Sequence, residues 1–194
     1  ASGSGDILSF TAINNGSSPV VATIVVTPFY SDRVVNCPGP SKTFTITVNP
    51  TGQVDQPLDY VFCNAENTPV ISFTTANIGG VTTYSWSNSN PSIGLAAGGT
   101  GNIPSFTAVN TGLVPVTATI TVVPTFTNGG VSCTGPAKVF TITVNPAGQV
   151  DQPLNLVLCN NGTGSVSFTT VNGGGTTTFS WTNSNTSIGL PLSG

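Results

Sequence analysis

The chain has 194 residues, only 5% of them charged, and a net charge of −3. Its three cations, Arg33, Lys42 and Lys138, cannot form a basic stripe, which argues against a nucleic-acid partner. Histidine is absent and no apolar run is long enough to span a bilayer, so His-based triads, mixed Cys/His zinc sites and membrane insertion are all disfavoured.

The sequence states nearly the same pattern twice, 96 residues apart. GDILSFTAINNG near the start returns as GNIPSFTAVNTG from Gly101. FTITVNPTGQVDQPL at 44–58 returns as FTITVNPAGQVDQPL at 140–154. YSWSNSNPSIGL from Tyr84 returns as FSWTNSNTSIGL from Phe179, at an offset of 95, so one residue is dropped near Asn161. A fixed period of this size marks an array of like modules, each the size of one small β-sandwich.

The local period is two. Apolar and hydroxyl residues alternate in Phe140-Thr-Ile-Thr-Val144 and in Val116-Thr-Ala-Thr-Ile-Thr-Val122. This predicts half-buried antiparallel strands with threonine on the solvent face, and an all-β fold. Asn49-Pro50 and Asn145-Pro146 read as strand ends, and Pro-x-Gly-Gln-Val-Asp-Gln-Pro as a short, stiff linker. In this frame residues 1–50 are the last half of one module, 51–146 a complete module, and 147–194 the first half of another. The opening in mid-pattern, with no methionine, predicts a piece of a longer protein.

For the complete module, in chain order, strands are expected near 54–63, 70–76, 81–87, 92–96, 103–109, 115–126 and 138–144, an immunoglobulin-like count. Trp86, flanked by Tyr84 on the same face, falls in the third strand; Trp181 and Phe179 repeat it. A tryptophan there is expected to be a central core residue, with carbohydrate stacking as the second reading. The glycine-rich GGTGN at 98–102 reads as a loop between strands, since neither a lysine nor a helix follows to make a phosphate site.

Cys37, Cys63, Cys133 and Cys159 are widely spaced in an uncharged β protein, which predicts extracellular disulfides rather than buried thiols. The module frame favours Cys63 with Cys133, closing about 70 residues for ~4 kcal/mol. The competing scheme pairs Cys37 with Cys63 and Cys133 with Cys159 across the linkers.

No set of residues announces catalysis. Of the carboxylates, only Asp55 and Asp151 recur, both in linkers, where turn capping is expected and Ca²⁺ binding is the second reading. Lys42 and Lys138, placed alike before the last strand, read as edge lysines that discourage aggregation, with a lysine–asparagine crosslink as the alternative. The sequons at Asn15, Asn161 and Asn185 are expected by chance in so Asn/Ser/Thr-rich a chain. A flat ice-binding threonine array is disfavoured by strand twist.

The segments YSWSNSNPSIGLAAGGTGNIPSFTAVNTG, PVTATITVVPTFTNGG and FTITVNP resemble the PKD-like repeats of giant Bacteroidetes cell-surface adhesins of the gliding-motility type. The tryptophan segment is also similar to group 2 bacterial immunoglobulin-like domains. The resemblance implies tandem immunoglobulin/PKD-like antiparallel β-sandwich repeats, an extracellular cell-surface location, export by type IX secretion, and no catalytic or cofactor-binding residues. The expected function is a structural stalk whose partners are neighbouring identical repeats, placed end to end or completing half-modules between molecules. A glycan-binding module and an accessory domain of a secreted hydrolase are the alternatives.

Overall fold

A computed structural model describes residues 3–194; among them there is no α-helix. In the first part of the chain, β1 (Val20–Val26) pairs antiparallel with β4 (Lys42–Val48), and β2 (Phe29–Ser31) with β3 (Asn36–Pro38). The middle holds six strands. These are β5 (Tyr60–Cys63), β6 (Val81–Asn88), β7 (Gly98–Thr100), β8 (Val116–Asn128), β9 (Val131–Thr134) and β10 (Lys138–Asn145). They form one sheet in the order β5-β10-β8-β6-β7, with β9 folded back onto the end of β8. Every pairing in it is antiparallel except β5 with β10.

Strand alternation decides which face is wet. On β10, Phe140, Ile142 and Val144 are buried, and on β8 Ile120, Ala118 and the half-buried Val116 lie opposite them in register. The other face carries hydroxyls that meet across strands: Thr117 with Thr143 at 2.9 Å and Thr127 with Ser132 at 2.9 Å. Cross-strand hydroxyl pairs of this kind each contribute a few tenths of a kcal/mol and replace charge as the polar surface. Over the apolar face lies a second layer of extended chain, joined by bridges Ile71↔Ile103 and Asn67↔Thr107. Ile71, Phe73, Ile103 and Ala108 from this layer complete a sandwich-like core whose buried apolar residues all fall between Val54 and Val144.

Several expectations need correction: of the strand expected at 54–63 only Tyr60–Cys63 forms, and those expected at 70–76 and 103–109 are extended chain with isolated bridges rather than strands. The strand expected at 92–96 is a 3₁₀ turn, Pro91–Ile93. Asn90 starts it by accepting from the Ser92 amide, Pro91 supplies the helical φ, and Gly94 ends it at φ 91°. The same turn recurs at Thr186–Ile188, opened by Asn185 and closed by Gly189. The glycine-rich stretch taken for a loop instead contains β7, whose Gly99 pairs with Trp86. A Cβ on Gly99 would sit 2.5 Å from the Trp86 ring, so glycine is what lets the indole lie flat across the neighbouring strand. Gly194 stands against Trp181 in the same way.

Trp86 is 6% exposed, packed within the core, and its indole Nε1 has no hydrogen-bond partner. Trp86→Ala should therefore cost about 3–5 kcal/mol in denaturant unfolding, as expected for a large buried side chain. Trp86→Phe should cost well under half of that, because it also removes a buried donor left unpaired. Equal losses for the two variants would contradict this account.

Candidate functional site

One set of contacts recurs where one copy of the sequence pattern meets the next. At the first joint the buried Asn77 side chain bridges three segments. Its Oδ1 accepts from the Gln53 amide at 2.6 Å, and its Nδ2 donates to the Thr51 carbonyl at 3.2 Å and to Ser17 at 3.4 Å. The Ile78 amide adds a bond to the same Ser17 carbonyl at 2.9 Å. Thr75 holds Asn77 in place, accepting from its backbone amide at 3.0 Å. Gly79, at φ 79°, brings the backbone against Pro19, where a Cβ would sit 2.9 Å from the ring.

The second joint repeats this. Asn172 Oδ1 accepts from the Gln149 amide at 2.6 Å, and its Nδ2 donates to Ala147 at 3.1 Å and Leu113 at 3.4 Å. The Gly173 amide donates to Leu113 at 2.9 Å, and Gly174, at φ 74°, lies against Pro115. Asn77 and Asn172 were not singled out from the sequence. The signal was available: Thr-Thr-Ala-Asn-Ile-Gly-Gly at 74–80 matches Thr-Thr-Val-Asn-Gly-Gly-Gly at 169–175.

The first joint has a second brace. Asn49 Nδ2 donates to the Asn128 carbonyl at 3.0 Å, and Asn128 Nδ2 returns a bond to Asn49 Oδ1 at 3.0 Å. This ties the end of β4 to the β8–β9 turn. Pro50 is fully buried, and the Gly52 amide donates to the Cys133 carbonyl at 3.0 Å, so the linker is laid along the sheet rather than left free.

The carboxylates serve local structure. Asp55 accepts from the Thr74 hydroxyl at 2.6 Å, and Asp151 accepts from Thr169 at 2.7 Å. The capping expected of these residues thus runs to a threonine hydroxyl rather than to backbone amides. The exposed Asp32 accepts from the Val35 and Val34 amides, which lower its carboxyl below the usual range. Burial raises the Tyr84 phenol above its ordinary value. No group of three or more His, Cys, Asp or Glu converges among the described residues. Lys138 opens β10, half-buried, and Lys42 opens β4.

The disulfide expectations are corrected: all four cysteines are free thiols. Cys63 stands opposite Asn145, beside Val144, which pairs with Val116 at one end of β8. Cys133 stands opposite Phe126, near the other end. Ten residues of strand, roughly 33 Å, separate the two levels, whereas a disulfide needs Cα atoms within about 7 Å. The cross-linker scheme fails for a related reason. Cys37 lies opposite Tyr30 in the hairpin beyond β1 and β4, away from the joint, and Cys63 lies at the far end of the middle module.

No protein-family model and no curated protein matches this sequence.

Two predictions follow from these contacts. Asn77→Asp places a carboxylate oxygen where the Nδ2 donor faces two carbonyls. It should cost about 1–3 kcal/mol and speed hydrogen exchange at Ile78, with Asn172→Asp doing the same at Gly173. Unchanged exchange at both amides would remove the joint from the account. In the oxidised protein, non-reducing peptide mapping should find no Cys63–Cys133 bond within one chain.

Proposed function

We propose that this chain is a stalk segment of an extracellular bacterial surface adhesin or filament. It is built from tandem immunoglobulin/PKD-like sandwiches that supply reach and spacing and carry no chemistry of their own. One observation supports this reading above the others: the same four-part joint of asparagine, linker, glycine and proline occurs twice, bond for bond. A binding module needs a distinctive loop surface, whereas a spacer needs each repeat fixed to the next in the same way. Exposed neutral hydroxyls suit a surface that stands in water without attracting polyelectrolytes. The glycan-binding alternative loses its best candidate, since the Trp86 ring is enclosed in the core. Because modules in such arrays contact only their neighbours, length grows linearly with repeat number.

Small-angle scattering on proteins of two, three and four covalently joined repeats tests this. The maximum dimension should rise by about 40 Å per added repeat, the length of a thirteen-residue strand. A dimension that stays nearly constant as repeats are added would mean that modules pack side by side, and would overturn the stalk reading.

A further inference from the structure

The four free thiols have no part in the joints described so far, yet their places in the middle module follow a rule. Cys133 stands at the end where the chain enters the module. Its carbonyl accepts from the Gly52 amide of the incoming linker at 3.0 Å. Cys63 stands at the end where the chain leaves. It is the last residue of β5 and lies opposite Asn145, the last residue of β10, just before Pro146 opens the outgoing linker. A complete repeat therefore carries a leading thiol, half-buried, at its first joint and a trailing thiol, exposed, at its second.

Both thiols are placed against the same asparagine position, because Asn49 at the first joint is the counterpart of Asn145 at the second. On the trailing side, Cys63 sits one strand spacing from Asn145, about 4.8 Å. Its neighbour Phe62 pairs with Val144 and both are buried, so Cys63 and Asn145 share the opposite face of the sheet. On the leading side, the Asn49 side chain donates to the Asn128 and Val131 carbonyls at 3.0 and 3.4 Å, and Val131 opens the strand that holds Cys133. Cys133 also lines the space along the β4 edge, the edge that in the complete module carries β5 and Cys63. Where one complete repeat follows another, the trailing thiol of the first and the leading thiol of the second flank one asparagine.

We propose that these two thiols form a disulfide across the joint: Cys63 of one repeat with the cysteine of the following repeat that corresponds to Cys133. The proposal rests on the stalk reading, since it needs repeats joined in series. It differs from both pairings considered from the sequence. Cys37 is a leading thiol and Cys159 a trailing one. Among the four, no trailing thiol is followed by the leading thiol of the next repeat, which agrees with all four being free. The oxidant is a low-molecular-weight disulfide. One cysteine thiolate attacks it and releases one thiol; the second cysteine thiolate then attacks the mixed disulfide and releases the other. Two protein thiols and one small disulfide thus give one protein disulfide and two small thiols. The bond staples a joint that hydrogen bonds alone hold in the reduced protein.

The test uses the full chain with a second copy of residues 51–146 inserted after Pro146, so that two complete repeats stand in series. This chain has six cysteines, the four of the original and two from the insert. It is incubated at low protein concentration with oxidised and reduced glutathione, then alkylated and weighed. The monomer should hold one disulfide and four alkylated thiols, and non-reducing peptide mapping should join the Cys63 peptide to the Cys133 peptide. Cys63→Ser in the first copy should abolish the bond, whereas Cys63→Ser in the second copy should leave it intact. Absence of a bond within the monomer, a bond that survives the first substitution, or one lost with the second would overturn the proposal. Small-angle scattering of the same chain in its reduced form separates the two readings: an extended particle with unpaired thiols rejects the staple alone, and side-by-side repeats reject the stalk.

Discussion

Neutral amides hold this protein together where other proteins use charge. With 5% charged residues, the chain has few ions to satisfy backbone groups in its turns and joints, and asparagine takes the task because it donates and accepts at once. Of the four buried polar residues among the described ones, three are asparagines: Asn77, Asn88 and Asn110. Each uses Oδ1 to take a nearby backbone amide and Nδ2 to hold one or two carbonyls. Asn110 donates to Val114 and Val144 and accepts from Gly112; Asn88 donates to Leu95 and Ala96 and accepts from Asn90. A buried carbonyl left unpaired costs more than a hydrogen bond returns, so the loops can sit against the core only because these clamps exist.

The clamps also explain why the incomplete halves keep their local shape. Asn14 repeats the bonds of Asn110, reaching Ser18 and Val48, and Asn183 repeats those of Asn88, reaching Leu190 and Pro191. These bonds are short-range or stay within one half. The core is different, because it forms only when both halves are present, and its counterparts in the flanking segments remain exposed. Local polar contacts therefore shape each half, and apolar burial joins one half to another.

The period-two alternation made the strands at β8 and β10 legible, since hydroxyl and apolar side chains sort cleanly between two faces. The place of Trp86 at a strand centre was legible for the same reason. Pairing was not. The alternation around Ser92 and Leu95 resembles a strand, yet Asn90, Pro91 and Gly94 together impose a tight turn, and cap chemistry outweighs the pattern there. The cysteine reading failed because sequence spacing says nothing about which end of a strand a residue occupies. Asn77 and Asn172 were hidden by composition, being two among many asparagines, and their bonds to the linker and to the facing loop, more than the match of 74–80 with 169–175, separate them from the rest.

Asn49 and Asn145 occupy matching strand ends and are held differently. Asn49 is held on one side by Asn128, while its main chain forms the open edge of β4 on the other. Asn145, its counterpart, has that edge occupied by Cys63 and Asn64. The same asparagine position thus serves two ends: at β4 its side chain ties the strand to the β8–β9 turn, and at β10 its main chain carries the neighbouring strand.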